Sequence, residues 1–136
     1  MESIKVHVSI NASLEEVWRR FCTPADVEQW NAASEDWHTT AATNDLQIGG
    51  KFNYRMEAKD GSFGFDFWGI YNAVDEFKQL DYTLGDGRKV SIVFEYNGIG
   101  TKLTETFEAE TENPVDMQQL GWQAILDNFK KYVESN

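Results

Sequence analysis

The chain has 136 residues, of which 41% are hydrophobic and 14% aromatic, enough for one domain with a core of its own. Its formal net charge of −11 argues against nucleic acid, whose phosphates it would repel, and against an anionic membrane surface. One cysteine, Cys22, excludes an internal disulfide and a cysteine-built zinc site, and it fits a reducing compartment.

The first ten residues, MESIKVHVSI, lack the charged-then-apolar build of a signal peptide, and no stretch reaches the length of a membrane span. The expectation is a cytoplasmic monomer. Residues 3–10 alternate, with Ile4, Val6, Val8 and Ile10 against Lys5, His7 and Ser9, and predict a half-buried strand with His7 toward solvent. Ser13-Leu14-Glu15-Glu16 matches a capping box opening a helix that carries Val17, Trp18 and Phe21. Thr23 and Pro24 read as the cap and first residue of a second short helix, ending near Trp30. Residues 31–38 have no clear period and predict a loop; residues 39–46 predict a strand.

A meander follows. Gly49-Gly50 turns the chain into a strand in which Phe52, Tyr54, Met56 and Ala58 alternate with Lys51, Asn53, Arg55 and Glu57. Asp60-Gly61, Asp86-Gly87 and Asn97-Gly98 are hairpin signals. Between them lie a long strand with Phe63, Phe65, Phe67, Gly69 and Tyr71 on one face, a strand from Phe77 to Leu84, and one whose face is Val90, Ile92, Phe94 and Tyr96. In the last strand Leu103, Glu105, Phe107 and Ala109 share a face. Residues 113–136 then predict a long helix, with Asn113 as cap and Pro114 at its first position. Its apolar arc is centred on Met117, Leu120, Gly121, Ala124, Ile125, Asn128 and Tyr132, with Trp122, Leu126, Phe129 and Val133 at its flanks and Gln118 and Gln119 on the polar side.

These elements predict an α+β fold: a curved antiparallel sheet of six or seven strands wrapped around the C-terminal helix, with two short helices after the first strand. A bent sheet does not close on a helix everywhere. The space between them would be lined by Phe52, Tyr54, Met56, Phe65, Phe67, Phe94, Phe107, Trp122 and Ile125, which either fill the core or enclose a hydrophobic small molecule. Gly121 would allow a close approach to the helix backbone.

Few polar groups are placed for chemistry. Glu105 has inward parity, where a carboxylate must be paired, hydrogen-bonded or protonated; it could act as acid or base, hold a ligand hydroxyl, serve a partner within the fold, or be turned outward by a bulge. His38, with Trp30, Asn31, Trp37 and Asp36, could ring a cavity mouth or simply fasten the loop. Asp66 falls on the opposite face from Phe65 and Phe67 and predicts solvation or a cross-strand pair. No metal-ligand spacing, phosphate loop or nucleophile setting is present, so neither a metal nor a cofactor is expected.

Several segments carry a family resemblance: IKVHVSINASLEEVWRRFCTPADVEQWN, SEDWH, DLQIGGKFNYRMEAKDGSFGFDFWG, TLGDGRKV, TETFEAE and GWQAILDNFKKYVE. From about residue 3 to 135 the chain resembles the START-like, or SRPBCC, helix-grip superfamily, in the branch named for the C-terminal domain of the activator of heat-shock-protein-90 ATPase. The resemblance implies a deep hydrophobic cavity between sheet and final helix, and a lipid-, polyketide- or flavonoid-like ligand. Some relatives are cyclases or aromatase-like enzymes, which makes a cyclase or hydratase activity the alternative. The branch name implies a third possibility, a chaperone partner.

Overall fold

A computed structural model describes residues 2–136. The element order is β1 (Ser3–Ile10), α1 (Leu14–Cys22), α2 (Pro24–Trp30), β2 (Trp37–Asn44), β3 (Lys51–Ala58), β4 (Gly64–Asp75), β5 (Gln79–Leu84), β6 (Lys89–Tyr96), β7 (Thr101–Glu108) and α3 (Val115–Glu134). The strands form one antiparallel sheet in the order β1-β7-β6-β5-β4-β3-β2. This is a curled half-barrel with α3 packed on its inner face and the two short helices plugging one end.

The period-2 pattern places the inner face as expected over most of the sheet. Ile4, Val6, Val8 and Ile10 of β1 are buried, as are Phe52, Tyr54 and Met56 of β3 and Leu103, Glu105 and Phe107 of β7. The three hairpin glycines Gly61, Gly87 and Gly98 all have positive φ, the conformation those tight turns require. Face reading overreaches at strand ends. Tyr96, the last residue of β6, is 68% exposed, and Phe63, which precedes β4, is 63% exposed. The strand expected from Phe77 begins instead at Gln79. Phe77 has φ 67° and sits in a turn closed by Lys78 N–H donating to the Asp75 carbonyl, while its ring rests edge-on against Trp18, 6.1 Å between centroids.

The second strand runs over Trp37–Asn44, not 39–46, so Trp37 and His38 belong to β2 rather than to a loop. Trp37 pairs with Ala58 and His38 with Glu57; a bulge between Thr39 and Ala41 breaks the alternation that would have revealed it.

Helix ends differ from the capping expected. Ser13 caps α1, its Oγ accepting from Glu16 N–H at 3.1 Å. Glu16 does not reach back; its carboxylate is taken by Arg19 and Arg20. Thr23 does not cap α2, since its hydroxyl donates to the Arg19 carbonyl at 2.6 Å. Asn113 does not cap α3, which starts at Val115; its side chain is held by Glu110. Gln118 secures that end instead. Its Oε1 accepts from Glu110 N–H at 2.9 Å, and its Nε2 donates to the carbonyls of Glu110 and Asn113 at 3.1 and 2.8 Å. Gln118 is therefore buried, while Met117 and Leu120 are 61% and 71% exposed. The face of α3 that meets the sheet is centred on Trp122, Leu126, Phe129 and Val133, the flank of the expected arc.

One edge of the sheet is closed by side chains of α3. Gln123 accepts from His7 N–H at 3.3 Å and donates to the His7 carbonyl at 2.9 Å. Gln119 donates to the Lys5 carbonyl and Lys130 to that of Ser9, and Glu134 accepts from Asn11 N–H. Residues three or four apart on a helix share a face, so this polar stripe runs parallel to β1 and satisfies backbone groups that an edge strand leaves free.

A candidate ligand cavity under the C-terminal helix

Between α3 and the inner face of β3 to β7 lies a partly open cavity of about 240 Å³. Its wall is mostly aromatic. Phe52, Tyr54 and Met56 come from β3, Phe65 and Phe67 from β4, and Trp122 and Ile125 from α3, all as the alternation and the helical spacing predict. Trp30 and Asn31 contribute from the end of α2. Trp30 is fixed by stacking on Phe21, 5.1 Å between centroids, and by its indole N–H donating to the Arg20 carbonyl at 3.0 Å. Phe65 is 39% exposed and stands at the mouth.

The space persists because the large rings are spent on each other. Trp122 lies flat on Phe107 at 3.8 Å and 11°, and meets Phe67 edge-on at 6.0 Å. Phe107 is thus covered by Trp122 and is core, not wall. Phe94 is also core, held at 5.1 Å from Trp18 and 5.6 Å from Phe21, which screens it from the cavity. Gly69 leaves room for Phe52, whose ring a Cβ there would strike.

Three other expected residues lie elsewhere. Trp37 and His38 line a separate polar groove outside the cavity, together with Asp127, Asn128 and Lys131 of α3. Asn31 touches both spaces. It is buried, its Nδ2 donating to Thr39 Oγ1 at 3.1 Å while that hydroxyl donates to the Asn31 carbonyl at 2.7 Å. At Gly121 a Cβ would meet nothing within 4 Å, so no backbone or side chain makes the close approach expected there.

The wall also holds residues not singled out from the sequence: Phe21, Tyr71, Leu80, Tyr82, Arg88 and Ile92. Tyr71 and Ile92 had the right parity. Leu80 and Tyr82 alternate along β5 and could have been found by the same count. Arg88 follows a turn and carries no pattern; its guanidinium is directed to Asp86 at 2.8 Å and to the Glu108 carbonyl at 3.3 Å.

Glu105 is the one carboxyl among the described residues of this wall. It stands in register between Ile92 of β6 and Val6 of β1, with Leu80 of β5 in the same row. No hydrogen bond reaches its carboxyl from any described residue, and burial alone pushes it up to about 8. Of the alternatives open to Glu105, a hydrogen-bonding partner within the fold and an outward-turning bulge are not seen among the described residues. Among the described residues no fully enclosed side-chain oxygen or nitrogen is left without a partner, so the free Glu105 oxygens reach the cavity surface. Tyr82 resembles it: its hydroxyl has no hydrogen-bonding partner among the described residues, and burial first, then the Glu105 charge, holds the phenol well above its usual range. Tyr71 is pushed up by burial as well, although its hydroxyl donates to Asn44 Oδ1 at 2.7 Å. Asp66 faces outward, 3.7 Å from Arg55. No helix among the described residues is long and apolar enough to cross a membrane.

The fold and sequence have close relatives. An AHSA1-like protein from Aeromonas hydrophila is 46% identical, covering 98% of this chain and 93% of its own, with a TM-score of 0.93. A protein from Cytophaga hutchinsonii is 47% identical over 98% of this chain and 92% of its own, with a TM-score of 0.82. A protein from Chromobacterium violaceum shares the fold at 22% identity, over all of both chains, with a TM-score of 0.88. No curated protein matches the chain. Residues 11–134 match the family described as Activator of Hsp90 ATPase homolog 1-like protein, and the chain belongs to that family, in the START-like helix-grip branch.

Proposed function

We propose that this protein binds one small hydrophobic molecule between its sheet and C-terminal helix, and orients it through a polar group at Glu105. The observation that carries this reading is a buried carboxyl without a partner in an otherwise aromatic cavity. Leaving such a group unsatisfied costs about 1–3 kcal/mol, which a ligand with a matching polar atom would recover. The volume sets the size of the guest. About 240 Å³ exceeds the roughly 150 Å³ void that takes up benzene, and falls below the roughly 300–1,000 Å³ of sites for drug-sized ligands. One or two rings fit; a two-chain lipid does not.

A titration with two-ring compounds, followed by NMR, tests this. Shifts should concentrate at Tyr54, Tyr82, Trp122 and Ile125. Shifts confined to the outer face of α3, or none at millimolar concentration, would end the reading.

Glu105 also supports a second reading, an enzyme of cyclase or hydratase type in which the neutral carboxyl donates a proton to the bound substrate. Glu105→Gln would then abolish turnover with affinity retained, whereas loss of affinity with no turnover to lose favours binding alone.

A further inference from the structure

Two polar groups of the cavity wall, Glu105 and Tyr82, have no hydrogen-bonding partner among the described residues, and together they define the chemistry of the guest. Glu105 and Tyr82 rise from the same inner face, on β7 and β5, in adjacent rows: Glu105 lies in the row of Ile92 and Leu80, and Tyr82 in the row of Val90 and Phe107. Both line the cavity, both are buried, and neither bonds the other or any other described residue. We propose that the Glu105 carboxyl and the Tyr82 hydroxyl form a two-donor seat for a single carbonyl oxygen, so that the guest is a neutral one- or two-ring ketone or aldehyde rather than an amine or a carboxylate. This rests on the binding function proposed above and specifies its ligand.

The surroundings select among the chemistries. A carboxylic acid held neutral by apolar walls is a donor, and the Tyr82 phenol, on the same concave face one row away across β6, is a second donor. One carbonyl oxygen has two lone pairs and accepts both. A carboxylate guest would bring a charge into an apolar space and raise the cost of ionising Glu105. An ammonium guest would require Glu105 to ionise and would enter a wall that already holds the Arg88 guanidinium. The ionisable groups facing Glu105 are Tyr82 from β5, Arg88 from the β5–β6 turn, and Tyr54 and Tyr71 from β3 and β4; α3 contributes only Trp122 and Ile125 on this side. Arg88 is occupied by Asp86 and the Glu108 carbonyl.

The test is a calorimetric titration of the whole chain with α-tetralone, its hydrocarbon tetralin, and the corresponding amine. The ketone should bind about tenfold more tightly than tetralin near neutral pH, the effect of two modest hydrogen bonds. That advantage should fade above the pH of about 8 at which Glu105 ionises. Glu105→Gln keeps a donor and should retain ketone binding without the pH dependence, while Glu105→Leu and Tyr82→Phe should each lower the ketone's advantage about threefold or more. Circular dichroism of each variant shows that it is folded. If tetralin binds but the ketone binds no better, the two-donor seat is wrong and the binding function stands. If the amine binds best and Glu105→Gln abolishes it, the seat is anionic and the proposal is overturned. If none of the three binds, both readings fail.

Discussion

At the scale of single residues, Glu105 ties stability to pH. Its folded-state value of about 8 lies above the ordinary 4.5, so the folded chain holds a proton that the unfolded chain releases between those values. Its contribution is therefore full below about pH 4.5 and lost as pH rises through about 8. Glu105→Gln removes this dependence. The variant should gain stability relative to the parent as pH is raised across that window, read as the difference in urea midpoints. Cys22, pushed up to about 12 by burial, stays a thiol throughout and adds nothing to the trend. Gln118 makes a second prediction. Gln118→Leu strands the Glu110 amide and the Glu110 and Asn113 carbonyls, and should cost about 2–3 kcal/mol in chemical denaturation. Changing the neighbouring exposed Leu120 to Lys should stay within about 0.5 kcal/mol.

At the scale of elements, α3 both roofs the cavity and bounds its mouth. Ile125→Trp enlarges a half-buried side chain on the cavity side of the helix, beside Trp122. It should block uptake of two-ring guests while costing less than about 1–3 kcal/mol, since the extra volume enters open space instead of a filled core. Loss of NMR shifts on titration, with an unchanged circular dichroism spectrum, checks it. The strands were legible in the sequence because one physical rule, alternation, governs them. Ile4 to Ile10, Phe52 to Met56 and Leu103 to Phe107 follow it, and Glu105 was singled out as the polar member of an apolar face. What alternation cannot supply is interruption: the bulge after Thr39 hid the start of β2, and the left-handed backbone at Phe77 shortened β5. The rotation of α3 was hidden for another reason. Met117 and Leu120 are apolar and Gln118 is polar, but Gln118 is buried by three hydrogen bonds to backbone that no hydropathy count registers. Phe94 and Phe107 were correctly placed indoors, yet which inward ring borders empty space depends on how rings stack across elements. That is a three-dimensional fact, and it hides Arg88 too, whereas Tyr82 alternates with Leu80 along β5 and is open to the same count as the other strands.

At the scale of the whole molecule, an internal space stabilises the fold only when occupied. A guest at a hundred times its dissociation constant adds about 2.7 kcal/mol, and the unfolding temperature of a chain this size should rise by several degrees. The Ile125→Trp variant should show no such rise, which separates occupancy of the cavity from solvent effects. The polar stripe of Gln119, Gln123, Lys130 and Glu134 has a mechanical consequence. It fastens α3 along β1, whereas on the side of β3 and β4 the helix meets the sheet through rings such as Trp122 and Phe67, with no such fastening. Asn128 and Tyr132 tie its last turns to α2 as well, through the Trp30 carbonyl and Asp26, so the stretch of α3 over the cavity, around Trp122 and Ile125, is the part that rests on the sheet by ring contact alone. A guest that fills the cavity therefore presses on apolar contacts and leaves the polar anchors at both margins of the helix intact.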